Sequence, residues 1–219
     1  DEFINGWERW CLWLGEAQPS ELKAMPEVLK RIDAVRRVRL ESKSAPTQKL
    51  ADIPTRFHVE NIPRSEYLIV PKVSSERRAF IPVGFMHPDT LASDLVFIVP
   101  NATPYHFGVF TSSMHMAWVK FVCGRLESRY RYSKDIVYNN YPWPEQPTPA
   151  QKQAVEEAAQ GVMDARASHK AASLADLYDP LTMPLPAGFA FAGKHLMGCL
   201  LGSCNSLRDI PRFIDLAQS

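Results

Sequence analysis

Arg56-Phe57-His58-Val59-Glu60, Tyr67-Leu68-Ile69-Val70, Ala79-Phe80-Ile81-Pro82-Val83 and Leu95-Val96-Phe97-Ile98-Val99 are four short runs rich in β-branched and aromatic residues. They decide the fold, because what separates them is turn chemistry: Asn61-Ile62-Pro63, Ser74-Ser75-Glu76-Arg77-Arg78 and His87-Pro88-Asp89. Strands joined by such turns pair antiparallel, whereas parallel strands need a long crossover, usually a helix. The expected class is α+β: a mainly antiparallel sheet over about residues 50–110, flanked by helices, with a small C-terminal helical part.

Before the sheet, Trp7, Trp10 and Trp13 recur at three-residue spacing, which suits core packing on one helix face or in a short strand. Pro19-Ser20-Glu21 opens a helical region whose apolar positions Met25, Leu29, Ile32 and Val35 keep helical period. Its opposite face carries Lys30, Arg31, Arg36, Arg37 and Arg39, a face that fits open solvent or a phosphate backbone. Ser44-Ala45-Pro46-Thr47 breaks that helix and reads as a linker or domain entry. After the sheet, Tyr105-His106-Phe107 reads as a strand. Thr111-Ser112-Ser113 then caps a helix to about Cys123, with Met114, Trp118 and Val122 on one face. Thr148-Pro149-Ala150-Gln151 is a capping box that opens a helix to about Ser168, and Ser173 to Tyr178 reads as one more short helix.

The segment from Gly124 to Ser133 and on to Pro144 differs from the rest: arginines, tyrosines and a glutamate with almost no aliphatic filling. Glu127, Arg129 and Arg131 fall at every second position. On an extended backbone they would project to one side, presenting an acceptor and two planar forks of the kind that pair with base edges in a DNA major groove. A salt-bridged, solvated surface strand has the same spacing, and the spacing alone does not choose between them.

The 219 residues carry 25 Lys and Arg against 24 Asp and Glu, but unevenly. Residues 21–78 hold 13 basic and 8 acidic side chains and residues 112–135 hold 5 and 2, while residues 140–179 reverse the sign, 3 against 6. Two basic zones interleaved with aromatics suit nucleic acid without being diagnostic of it. Arg77 and Arg78 beside Ser74 and Ser75 make a phosphate grip or a plain hairpin tip. Cys11, Cys123, Cys199 and Cys204 make no zinc spacing, so no metal site is expected and free thiols in a reducing cytosol are. No apolar run reaches the length of a membrane span, and the chain opens without an initiator Met, so it is expected to be a part of something longer.

Catalytic motifs are missing. There is no glycine-rich cofactor loop, and Asn139-Asn140-Tyr141-Pro142-Trp143 lacks the tandem prolines of an amino-methyltransferase's base-holding segment. Glu41-Ser42-Lys43 has no upstream Pro-Asp partner for nuclease chemistry, and His58, His106 and His115 stand alone. No catalytic residue is assigned, and the chain by itself is expected neither to bind S-adenosylmethionine nor to methylate DNA.

Several strings resemble a known family. Asp1-Glu2-Phe3-Ile4-Asn5-Gly6 through Leu14, Arg56 to Asn61, Val73 to Arg78, Ile81 to Phe85, Tyr105 to Trp118, Gly124 to Pro144 and Leu174 to Pro180 are similar to MmeI-like enzymes. These are single-chain restriction–modification proteins that methylate adenine N6, together with their methyltransferase-only relatives. The resemblance covers about residues 1–184. It implies an N-terminal helical segment (1–45) joining an upstream methyltransferase domain, a target-recognition domain (46–146), a C-terminal helical part (147–184) and an atypical, unassigned tail (185–219).

The resemblance further implies that Glu127, Arg129 and Arg131 contact bases, with a contribution near Asp94 and Leu95. The backbone candidates are Arg77, Arg78, Ser74, Ser75, Arg125 and Lys134. Many relatives carry Lys-x-Asp where this chain has Glu-x-Arg, and a swapped charge pair should prefer a swapped base pair. The expected partners are double-stranded DNA and the upstream methyltransferase domain, with S-adenosylmethionine bound there, in the cytoplasm and off the membrane. The competing reading is a protein-interaction domain whose aromatic and arginine residues form hot spots.

Overall fold

The computed structural model describes residues 1–60 and 62–183; the glycine-rich tail assigned no role above lies outside them. The chain forms two compact units, one of Glu8–Ile62 and one of Asp1–Trp7 with the chain from Pro63 onward.

In the larger unit, β1 (Tyr67–Pro71) is the centre of a three-stranded antiparallel sheet with β3 (Gly84–Met86) on one side and β4 (Val96–Pro100) on the other. Its four apolar residues are continuous instead of alternating because the strand is covered on both faces: every β1 residue is buried. A second antiparallel sheet has β6 (Arg129–Arg131) between β2 (Val73–Ser74) and β5 (Gly124–Leu126). Lys72 is the single residue separating β1 from β2, so the chain passes from one sheet to the other across one peptide.

The core beneath both sheets gathers Leu68, Val70, Ile81, Val83, Phe107, Phe110, Val119, Tyr130, Tyr132, Val137 and Tyr141 with Val155, Ala159 and Val162. The last three line one face of α7 (Pro149–Ser168), which packs on α5 (Pro104–Phe110). The helices approach closely at Gly108, where a Cβ would stand 2.6 Å from Val155 Cγ1 and 3.0 Å from the Val155 carbonyl. The α+β class and the antiparallel pairing are as expected, as are the strands at Tyr67 and Val96 and the capping box at Thr148. In α8 (Leu174–Tyr178) Ser173 is the cap, its hydroxyl accepting from the Asp176 N–H.

Several local expectations are corrected. Arg56–Glu60 is not a strand: Arg56 Nη1 donates to Glu60 Oε2 at 2.8 Å and Glu60 Oε1 accepts from the Phe57 N–H at 3.2 Å, closing a local turn that leaves Val59 exposed. Ala79–Val83 buries Ile81 and Val83 but joins no ladder, and the strand starts only at Gly84, past the donor that Pro82 lacks. Tyr105–Phe107 belongs to α5, because Thr103 caps the helix and Pro104 takes its first position, where a missing N–H costs nothing. On α6 (Ser113–Val122) the buried residues are His115, Met116 and Val119, about one position round from the expected Met114, Trp118 and Val122, which are half-buried.

In the smaller unit α2 (Pro19–Lys23), α3 (Pro26–Leu40) and α4 (Ala45–Lys49) are joined by short turns, so the expected linker at Ser44–Thr47 is helical. Arg39 ties α3 to the segment that follows α4: Nη1 donates to the carbonyls of Leu50 (2.8 Å) and Ile53 (3.0 Å) and Nη2 to that of Arg56 (2.6 Å), which withdraws Arg39 from the cationic face. Trp10 is 87% exposed, and Trp7, at the boundary, 66%. The chain over residues 7–14 has no regular structure, so a three-residue spacing selects no face there. Trp13 alone stacks, on Phe57 at 5.7 Å.

Candidate nucleic-acid interface

β5 and β6 form a hairpin with the two-residue loop Glu127-Ser128, in register Gly124↔Arg131, Arg125↔Tyr130 and Leu126↔Arg129. A loop this short needs a left-handed residue, and Glu127 supplies it at φ 59, a conformation that costs a non-glycine residue about 1–2 kcal/mol. Glu127 is therefore not the first member of an extended row, as its spacing suggested, but the tip of the turn. Its carboxylate turns back onto the strand: Arg129 Nη2 donates to Glu127 Oε2 at 2.7 Å, with Glu127 largely and Arg129 about half in solvent.

Along β6 the alternation holds. Arg129 and Arg131 are exposed, and Tyr130 between them is buried. Arg125 lies on the Tyr130 side, its guanidinium 4.0 Å from the ring centroid and Nη1 donating to the Ser128 carbonyl at 3.2 Å. Among the described residues Arg131 makes no side-chain hydrogen bond, so its full fork is available.

Glu76, which no local sequence pattern singles out, also faces this tip. Its own backbone N–H, then the Ser128 hydroxyl, then the charges of Arg77 and Arg129 hold its carboxyl below the usual carboxylate range. Arg129 is thus placed in the field of two carboxylates, Glu127 and Glu76.

Asp94 and Leu95 lie in the exposed turn before β4, far from the hairpin in sequence. Lys72 brings them to it. Its N–H donates to the Leu95 carbonyl at 3.0 Å, and its carbonyl accepts from the Tyr132 N–H at 2.8 Å. This one residue therefore holds Leu95 on one side and the end of the β6 segment on the other. Lys72 Nζ lies 4.8 Å from the Phe97 ring, and Phe97 packs on Tyr132 with centroids 6.2 Å apart. Only tertiary pairing identifies Lys72; its own neighbours in sequence give no signal.

Tyr132 is anchored from below. Nδ1 of the buried His115 lies 2.9 Å from the Phe110 carbonyl, which can only accept, so the proton is on Nδ1 and Nε2 accepts from the Tyr132 hydroxyl at 3.0 Å. Burial pushes the His115 imidazole down to about 4, against the smaller upward pull of that carbonyl.

The expected phosphate-gripping residues are spread over this surface. Ser74 is buried on β2, opposite Tyr130, and its hydroxyl has no hydrogen-bond partner among the described residues. Ser75 Oγ accepts from the Arg77 N–H at 3.3 Å. Arg77 is already engaged, Nη2 donating to Asp179 Oδ2 at 2.6 Å. Arg78 is half-buried, and burial holds its guanidinium below its ordinary value against the upward pull of Asp179. Lys134 is exposed at the start of a π-helical turn (Lys134–Tyr138), 3.6 Å from Asp135. This surface carries two exposed guanidiniums, Arg129 and Arg131, the carboxylate of Glu127 and the exposed apolar side chain of Leu95 (61%). These are the donor, acceptor and apolar types that base edges pair with.

Residues 1–145 match the family described as "MmeI, target recognition domain", and residues 147–191 match "MmeI, C-terminal domain". The chain is 41% identical over 184 residues to DNA methyltransferase A of Bacillus subtilis (strain 168), covering 84% of this chain and 21% of that protein. It is also similar to the solved structure of the Type IIL restriction-modification enzyme MmeI in complex with DNA. There the TM-score is 0.88 and the identity 44%, over 92% of this chain and 27% of that one. The chain thus spans about a quarter or less of the length of these relatives.

Proposed function

The chain belongs to the MmeI family, across its target recognition and C-terminal domains, and on that premise we propose that the β5–β6 hairpin reads base pairs of double-stranded DNA. The observation that carries the reading is the alternation Arg129–Tyr130–Arg131, which aims two guanidiniums outward from a strand anchored by a buried tyrosine. Arg129 addresses guanine O6 and N7, and Glu127, hydrogen-bonded to it at the tip, accepts from the cytosine amino group of the same pair. Arg131, Asp94 and Leu95 address neighbouring positions. Ser75, Arg125, Lys134 and the Arg77–Arg78 loop lie along the backbone.

The module serves a methyltransferase domain upstream in the full-length protein, which transfers a methyl group to adenine N6, with or without an attached nuclease. S-adenosylmethionine belongs, in this reading, to that upstream domain. The Glu8–Ile62 unit suits such a neighbour. Ala51 is its one buried residue among those described, while Trp10, Leu12, Val38 and Leu40 are at least half exposed. No described helix is long and apolar enough to cross a membrane, and a module that reads the chromosome works in the cytoplasm.

The test is binding of the full-length protein to a duplex carrying its own methylation site, and to a scrambled duplex, across a salt series. Affinity for both should fall steeply with salt. Arg129→Ala should cost the site duplex more than the scrambled one and so remove the preference for the site. Salt-insensitive binding, or a preference untouched by Arg129→Ala, would reject the reading in favour of a protein-interaction surface.

A further inference from the structure

Gly124 opens β5 opposite Arg131 and is exposed. Glycine weakens a strand, since it contributes no side chain and loses the most chain entropy on folding, so it needs a reason to be there. Three glycines, Gly6, Gly84 and Gly108, have one inside the molecule, whereas Gly15 and Gly161, outside the strands, do not. Gly6 is left-handed at φ 69, a Cβ at Gly84 would stand 2.7 Å from Phe3, and Gly108 is pressed against Val155.

Gly124 has neither reason. Its φ lies outside the left-handed region, and an added Cβ would meet nothing closer than the Arg131 carbonyl at 3.9 Å, an ordinary contact. The register shows where that Cβ would point. Cross-strand partners share a face, so Gly124 and Arg131 lie with Leu126 and Arg129, opposite the face that holds Arg125 and the buried Tyr130. On its other side Arg131 is flanked by Val73 of β2. The missing side chain therefore leaves a gap beside Arg131 on its exposed side, in the row aimed outward.

We propose that Gly124 is a clearance position: it lets the edge of a base pair approach Arg131 to hydrogen-bonding distance, and a side chain there would hold the DNA off. This rests on the hairpin being the DNA-reading element. Gly124 is a positioning residue that acts by what it leaves empty, and it makes the residue opposite Arg131 a determinant of specificity.

The experiment compares the full-length protein with Gly124→Val, Gly124→Ala, Arg131→Ala and Gly161→Ala. Gly161 serves as control because it lies on an exposed face of α7 with nothing within 4 Å of an added Cβ. Binding to the mapped-site duplex and thermal melting are both read. Gly124→Val should weaken binding to that duplex by about 10- to 100-fold, the scale of one lost base contact, with Gly124→Ala in between and neither lowering the melting temperature. Gly161→Ala should raise the melting temperature and leave binding unchanged. Wild-type binding by Gly124→Val alongside a loss in Arg131→Ala would overturn the clearance role alone. Wild-type binding by both would overturn the hairpin reading with it. A melting temperature lowered by Gly124→Val would show an internal requirement, and the proposal would fall.

Discussion

The Tyr132 hydroxyl donates to His115 Nε2 at 3.0 Å, joining the end of the arginine-bearing strand to a buried imidazole on α6. His115 is 1% exposed and uses both ring nitrogens, so the segment from Arg129 to Tyr132 is fixed just past the strand as well as along its ladder. The outward direction of Arg129 and Arg131 depends on this interior support. A guanidinium fork held in place loses less freedom on meeting a base than a mobile one.

That support gives the fold a pH dependence with a definite sign. The folded-state value of about 4 lies below the ordinary imidazole value of about 6.5, so between them the unfolded chain holds the extra proton. His115 therefore stabilises the fold fully above about pH 6.5, and that contribution is lost as the pH falls toward 4. Denaturant titrations at pH 7 and pH 5 should differ by roughly 2 kcal/mol from this group, and His115→Gln should remove most of that difference. An unchanged difference in the variant would assign the slope elsewhere.

Gly108 sets how closely α5 and α7 approach. Gly108→Ala drives a methyl into Val155 and should cost about 1–3 kcal/mol in a denaturant titration. Val155→Ala in the same chain should relieve only part of that strain, since the Val155 carbonyl at 3.0 Å stays in place. Full rescue would mean that the backbones part easily.

Arg77 is occupied by Asp179, so its charge is partly withheld from a phosphate. Asp179→Asn should release it. Sequence-independent affinity of the full-length protein should rise, and the slope of its logarithm against that of salt should steepen by about one ion. A slope that does not change would place Arg77 away from the backbone path. Arg77→Ala together with Arg78→Ala should weaken binding to every sequence alike.

Much of this was legible in the sequence, for identifiable reasons. Tyr67–Val70 and Leu95–Val99 announce themselves as continuous apolar runs between turns, and Thr148-Pro149 announces α7. Thr103-Pro104 carries the same cap-and-proline signal, yet the aromatic residues after it read as a strand; the capping chemistry outweighed β propensity. Around the hairpin, the exposed Arg129 and Arg131 follow from strand alternation. The turn at Glu127 does not, since no Gly, Asn or Asp marks it. Nor does any local pattern foretell that Lys72 joins Leu95 to Tyr132 or that Glu76 faces Ser128, because those contacts exist only after the two sheets have formed.

The central claim, that Glu127 and Arg129 together read one base pair, is tested most directly by exchanging their charges. Methylation-site mapping of the full-length enzyme would compare the wild type, Glu127→Lys, Arg129→Asp and the two changes combined. Each single change leaves a charge unpaired against the DNA and should cost affinity for every sequence, on a scale of roughly 1–3 kcal/mol. The double variant should recover activity on a site altered at one position, with guanine and cytosine exchanged there. A double variant that keeps the original site would reduce the 2.7 Å contact between Arg129 and Glu127 to a surface salt bridge and contradict the assignment.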